Sequence, residues 1–146
     1  MLTMSDPVTI ANRLRPVLLQ LNRQLRRELK PLGITGGQAA LLHVIRSNPG
    51  IGVRELARRE GMTAAGMSTA LTRLEGAGLV RRTRGEQDRR RVGLELTEQG
   101  LRVLRSARSR RTAWLAARLQ RLTPEELDAV DQVIEPLAQL LDEEPA

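Results

Sequence analysis

The sequence predicts a mainly α-helical protein that carries one small β-hairpin. Apolar residues recur at intervals of three and four over most of the chain, which is the helical period. Strict alternation occurs where Val92, Leu94 and Leu96 share one face, close after the extended segment 79–84. A polar tip with several arginines, residues 85–91, separates the two segments, so we expect them to pair as a hairpin.

Length and composition limit the architecture and the chemistry. A chain of 146 residues forms one compact unit, or one small domain with dimerising extensions. It has no cysteine, which excludes disulfides, thiol-based redox sensing and thiolate metal sites. A single histidine, His43, argues against a transition-metal site, and we expect neither a metal nor a cofactor.

The N-terminus lacks the pattern of a signal peptide, and no apolar run approaches the roughly 20 residues that a membrane span needs. We therefore expect a cytoplasmic protein without a membrane partner.

The first predicted element is a helix over residues 8–30. Its apolar stripe continues to Leu29, and its opposite face carries arginines that we interpret as a solvated surface. Pro16 removes a backbone hydrogen bond, so we expect a kink or a new helix start there.

Three further helices follow. Thr35 and Gln38 have capping-box spacing and predict a helix that continues to Ser47. The segments 54–60 and 64–75 then predict two short helices, separated by a tight turn at Gly61. Two helices joined in this way are typical of a helix-turn-helix.

The hairpin 79–96 follows directly, which makes residues 35–96 a predicted winged helix-turn-helix lobe. Thr97 is expected to cap a long helix over 98–122, and Thr123 a last helix that Pro136 interrupts. The apolar stripes of 8–30 and 97–141 are too thin to close a core within one small domain. We therefore expect these two segments to form a helical dimerisation lobe, intertwined with the first lobe as a single domain, in a twofold homodimer.

Charge indicates the partner. The net charge is +7, and residues 123–146 contain eight acids and no base, so the positive charge lies in the rest of the chain. A basic helix and hairpin predict binding to double-stranded DNA. An enzyme is not expected, since no nucleophile–base pair, metal cluster or phosphate-binding glycine loop occurs.

In a helix-turn-helix, the second helix enters the major groove with its N-terminal residues at the base edges. Short polar side chains, alanine methyls and arginines can read base edges or hold phosphates. Gly66 either permits close approach of the backbone to DNA or is merely tolerated in the first turn. The predicted DNA-binding residues are Arg54, Thr63, Ala64, Ala65, Ser68, Thr69, Thr72, Arg73, Arg84, Asp88, Arg89, Arg90 and Arg91.

The hairpin tip is a second predicted probe of DNA. Arginine suits a narrow minor groove because the negative potential is enhanced there. Asp88 can hydrogen-bond neighbouring arginines and hold the tip in shape. The other arginines of the hairpin are interpreted as phosphate contacts or solvated side chains: Arg81, Arg82, Arg84, Arg89 and Arg91.

These motifs together resemble the MarR family of bacterial transcription regulators. The resemblance is carried by 32–38 (LGITGGQ), 53–57 (VRELA), 74–80 (LEGAGLV), 88–92 (DRRRV) and 96–100 (LTEQG). It implies a dimer that binds a pseudo-palindromic operator, with Arg90 in the minor groove and Asp88 orienting it. It also implies a repressor that a small ligand releases.

The ligand is less defined, because the family's ligands are often aromatic acids and this chain has no Tyr or Phe to stack on them. A small anionic or apolar effector could meet His43, Arg46, Arg108 and Arg111, although His43 also fits a packed or surface position in its helix. An alternative to the sequence-specific repressor is an architectural protein that coats DNA through charge alone.

Overall fold

The computed structural model describes residues 6–85 and 92–142. Within them six helices and three strands follow one another, with a short 3₁₀ turn after the first helix, so the predicted fold class is confirmed. The elements are α1 (Pro7–Arg27), the 3₁₀ turn (Lys30–Leu32), α2 (Gly36–Ser47), β1 (Ile51–Gly52), α3 (Val53–Arg59), α4 (Ala64–Gly76), β2 (Val80–Arg84), β3 (Val92–Leu96), α5 (Glu98–Leu119) and α6 (Pro124–Gln139).

Threonine caps set the starts of α2, α4 and α6, as the sequence predicted. The side chains of Thr35 and Thr123 each close a full capping box, with Gln38 and Glu126 respectively. Thr63 accepts a hydrogen bond from the backbone N–H of Gly66 at the start of α4. Each cap satisfies a backbone donor that a helix start would otherwise leave unpaired.

The three strands form one antiparallel sheet in the order β1-β3-β2. In β3, Leu94 lies opposite Arg82 of β2 on one side and Ile51 of β1 on the other. The hairpin is as predicted, whereas the pairing of β1 with β3 was not. This pairing anchors the base of the hairpin to the segment that precedes α3.

The buried core lies among α2, α3, α4, the sheet and the early part of α5. Aliphatic side chains fill it, since the chain has almost no aromatic residues. Its fully buried large members are Leu29, Leu42, Ile45, Leu56, Met67, Leu71, Leu74 and Leu94. Ala107 is also fully buried, in a stretch of α5 that the sequence marks as polar.

By its internal contacts the chain divides into two compact units, Met1–Arg111 and Thr112–Ala146. Helix α5 contributes residues to both. None of the described helices is both long and apolar enough to cross a membrane.

Two details of the predicted helices are wrong. Helix α1 ends at Arg27, so Leu29 is buried in the core after the helix instead of extending its stripe. Helix α5 ends at Leu119, three residues before the predicted end. Helices α1 and α6 continue through Pro16 and Pro136, so of the two outcomes expected at Pro16, a kink or a new helix start, the new start does not occur. A proline removes one backbone hydrogen bond, and the turns on either side keep theirs.

Candidate nucleic-acid interface

Helix α4 has one buried face and one face open to solvent. Met67, Leu71 and Leu74 are fully buried, which fixes the rotation of the helix about its axis. The opposite side therefore points outward. It presents the predicted reading residues Ala64, Ala65, Thr69, Thr72 and Arg73, which are exposed, while Ser68 is half-buried at the edge of this surface.

Two hydroxyls on this surface are already engaged within the helix. Thr69 donates to the carbonyl of Ala65 at 3.1 Å, and Thr72 donates to the carbonyl of Ser68 at 2.9 Å. With the protons directed inward, each side chain offers its methyl group and its oxygen lone pairs. A methyl suits the thymine methyl, and lone pairs suit the amino groups of adenine or cytosine.

Gly66 has a structural role that the sequence interpretation missed. Its N–H donates to the Thr63 hydroxyl at 3.0 Å, and a Cβ at this position would meet the same oxygen at 3.0 Å. Glycine therefore lets the capping threonine fold closely over the first turn. This explains the residue without any contact to DNA.

Helix α3 supports α4 and carries Arg54 exposed in its first turn. The next residue, Glu55, pairs with two arginines of the same helix. Arg58 meets both carboxylate oxygens, at 2.6 and 3.1 Å, and Arg59 donates at 3.0 Å. These hydrogen bonds, that of Arg58 first, lower the pKa of Glu55 from 4.5 to about 2.

The described part of the hairpin separates its arginines into two kinds. Arg81 pairs with Glu95 at 3.0 Å, and Arg82 pairs with Glu75 at 2.6 Å. Arg84 is exposed at the end of β2. Carboxylates thus neutralise the positive charges of Arg81 and Arg82. This argues against these two arginines as phosphate contacts. Asp88, Arg89, Arg90 and Arg91 lie outside the described residues.

The four residues suggested for an effector line one open groove of about 450 Å³. His43 and Arg46 reach it from α2, and Arg108 and Arg111 reach it from α5. Arg105, which precedes Arg108 by three residues on α5, joins them. Gly36, Ala39, Ala40 and Leu104 supply the apolar part of the lining. The structure thus brings the predicted set together.

Arg110 lies in the same arginine-rich stretch but is held elsewhere. Its Nε donates to the carbonyl of Glu28 at 2.8 Å, and its Nη2 lies 3.6 Å from the Glu28 carboxylate. The contact joins α5 to the segment after α1 and leaves the groove to the other arginines.

Comparison with known sequences agrees with this geometry. The profile of the MarR family matches residues 32–91. The HTH-type transcriptional repressor Rv2887 of Mycobacterium tuberculosis is 31% identical over 117 residues, which cover 80% of this chain and 84% of the relative. The HTH-type transcriptional regulator MT0903.1 of the same species is 28% identical over 136 residues, covering 93% and 95%.

Solved structures share the fold. RV1404 from Mycobacterium tuberculosis superposes with a TM-score of 0.85 at 20% identity, covering 98% of this chain and 99% of that one. Streptococcus pneumoniae FabT, solved in complex with DNA, gives a TM-score of 0.70 at 24% identity, covering 89% and 96%.

Proposed function

Because this chain belongs to the MarR family of transcriptional regulators, we propose that it is a homodimeric repressor of a pseudo-palindromic operator. The observation that carries the proposal is the outward face of α4. Alanine and threonine methyls, oriented hydroxyls and Arg73 stand together there on a helix whose rotation the core fixes. FabT, which has a similar fold, was solved in complex with DNA, and this supports DNA as the partner. A helix that enters a major groove requires the DNA to be double-stranded.

The hairpin supplies the second contact in this proposal. Arg90 enters the minor groove, Asp88 orients it, and Arg84, Arg89 and Arg91 hold phosphates. For the four residues of the tip this assignment rests on the sequence and on the resemblance. Reading one groove with a helix and the next with an arginine gives specificity that phosphate contacts alone do not give.

Exposed apolar side chains support the homodimer. In α1, Val8 is 65% and Leu19 is 57% exposed, and in α6, Ile134 is 59% exposed. A soluble chain rarely leaves such faces open to water, and a second copy with the same faces would cover them. Twofold pairing would set the two copies of α4 about 34 Å apart, one turn of the DNA helix.

The test of the function uses DNA fragments that the protein selects from a random-sequence library. Competition between a selected duplex and a random duplex is measured at one fixed salt concentration. A repressor binds the selected duplex at least about a thousandfold more tightly. A ratio near one, with steep salt dependence, would instead establish the architectural protein.

The dimer is tested by sedimentation at the protein concentrations that saturate the selected duplex. A twofold mass for the unaltered chain is expected, and a monomer for Leu18→Glu, which places a charge on the exposed face of α1. A monomeric unaltered chain that still binds the selected duplex would exclude the homodimer.

We further propose that the groove lined by His43 and the arginines is the effector site, and that the effector is an anion. Several guanidinium groups above a small apolar floor favour a carboxylate or phosphate carried on a compact body. Binding would change the distance between the two copies of α4 rather than touch the reading surface.

Calorimetry with citrate, inorganic phosphate and benzoate tests the effector site. Arg108→Gln should weaken the anion that binds, whereas Arg102→Gln should not, because Arg102 is exposed on the same helix but does not line the groove. Equal effects of both variants would show that only overall charge matters.

A further inference from the structure

One ion pair connects the reading helix to the hairpin. Glu75 lies in the last turn of α4, and Arg82 lies in the middle of β2. The Nε of Arg82 donates to Oε1 of Glu75 at 2.6 Å. The two side chains are 33% and 34% exposed, so the pair is partly shielded from water.

The other ion pairs of the described part of this lobe stay within one element or one hairpin. Glu55 pairs with Arg58 and Arg59 inside α3. Arg81 and Glu95 are register partners on neighbouring strands, so their bond holds the hairpin together without fixing its direction. Among these pairs, Glu75 with Arg82 alone joins α4 to the sheet.

Strand β1 anchors the hairpin through β3 as far as Gly93, whose partner on β2 is Thr83. Strand β2 lies at the other edge of the sheet, away from β1. Val80 at the start of β2 is buried, whereas Arg81, Arg82 and Arg84 have exposed faces. Each residue of a strand adds about 3.3 Å, so a small rotation at the base becomes a large displacement farther out. The ion pair adds a restraint from α4 at this edge of the sheet, two residues beyond Val80.

We propose that Glu75 is a positioning residue: with Arg82 it sets the angle between α4 and the hairpin, so that both reach DNA in the same encounter. This proposal rests on the proposed DNA binding. Glu75 acts through Arg82 and touches no base or phosphate.

Charge makes the proposal sharply testable. An acidic side chain near DNA repels phosphate, so a Glu75 without a positioning role would weaken binding, and Glu75→Gln would tighten it. If Glu75 is a positioning residue, Glu75→Gln should instead weaken binding of the selected duplex. On a random duplex, which does not need both probes in register, the loss of an acid should tighten binding in either case.

Glu95→Gln is the matched control, because it also removes one acid and one ion pair from the same lobe. We expect Glu75→Gln to lower the ratio of selected to random affinity about fivefold, with Glu95→Gln leaving it unchanged. Arg82→Gln should lower the ratio similarly, and the double variant should be no worse than either single variant. Tighter selected binding by Glu75→Gln, or additive losses in the double variant, would overturn the proposal.

A second measurement needs no DNA. The chain has no cysteine, so Thr72→Cys and Arg84→Cys place two spin labels cleanly, one on α4 and one on β2. Labelled chains are diluted into unlabelled protein to avoid signals between copies. Glu75→Gln should broaden the distance distribution, and Glu95→Gln should not. An unchanged distribution would reject the restraint, whereas failure to select any duplex would reject only the repressor.

Discussion

The hydroxyl of Thr97 donates a 2.6 Å hydrogen bond to the carbonyl of Gly78, in the turn that follows α4. The backbone N–H of Thr97 donates to Leu79 at 3.1 Å, and its hydroxyl oxygen accepts from the N–H of Gly100 at 3.0 Å. The residue that caps α5 is therefore bonded to the turn that follows α4.

Gly100→Ala should destabilise the fold by about 1–3 kcal/mol, measured by urea unfolding. A Cβ at Gly100 would overlap the carbonyl group of Leu79, which is backbone and cannot rotate away. Gly76→Ala is the control, because its Cβ meets nothing within 4 Å and alanine favours helix. Equal stability of the two variants would contradict the close approach of α5.

Thr97→Val should lower the free energy of unfolding by about 1–2 kcal/mol, because it removes both the cap of α5 and the hydrogen bond to Gly78. Thr97→Ser keeps the hydroxyl and should retain most of that stability. Urea unfolding of both variants separates the hydrogen bonds from the methyl group. A serine variant as unstable as the valine variant would show that packing, not bonding, is responsible.

Glu55 should titrate far below its ordinary pKa of 4.5, near pH 2. Because the pKa of the folded state is depressed, this carboxylate contributes its stability above pH 4.5 and loses it as the pH falls from 4.5 through about 2. The carboxyl carbon resonance measures the midpoint directly. Arg58→Gln should raise it more than Arg59→Gln, as Arg58 makes two of the three bonds. A midpoint near 4.5 in the unaltered chain would refute the pairing.

Arg90→Ala should weaken binding of the selected duplex about tenfold, while sedimentation and thermal unfolding stay unchanged. The reason is the loss of the minor-groove contact that we propose for Arg90. Arg121→Ala removes the same charge from an exposed position after α5 and should have little effect. If both variants lose affinity equally, the hairpin tip has no specific role.

The starts of three helices could be predicted from sequence because caps are local. Thr35, Thr63 and Thr123 each act within three residues, and the structure confirms all three. The pairing of Ile51 with Leu94 could not be predicted, since 43 positions separate the partners. Ala107 was missed because a small residue among arginines gives no periodic signal, yet it is fully buried.

The same difference between local features and long-range contacts applies to the candidate site. The outward face of α4 was predictable because Met67, Leu71 and Leu74 repeat with the helical period. The pairing of Arg82 with Glu75 was not, because it depends on how the turn at Gly78, with φ of 77°, directs β2 back past the helix.

Trp114 is the one aromatic residue of the chain, and the guanidinium carbon of Arg118 lies 4.7 Å from its ring centre. Both residues belong to the second unit, Thr112–Ala146, whereas the groove of His43 and the arginines belongs to the first. The intrinsic fluorescence of the protein therefore comes from one known place, which a cation held over the indole face makes sensitive to small rearrangements. An emission change on adding an anion would report a rearrangement around Trp114, without any added dye.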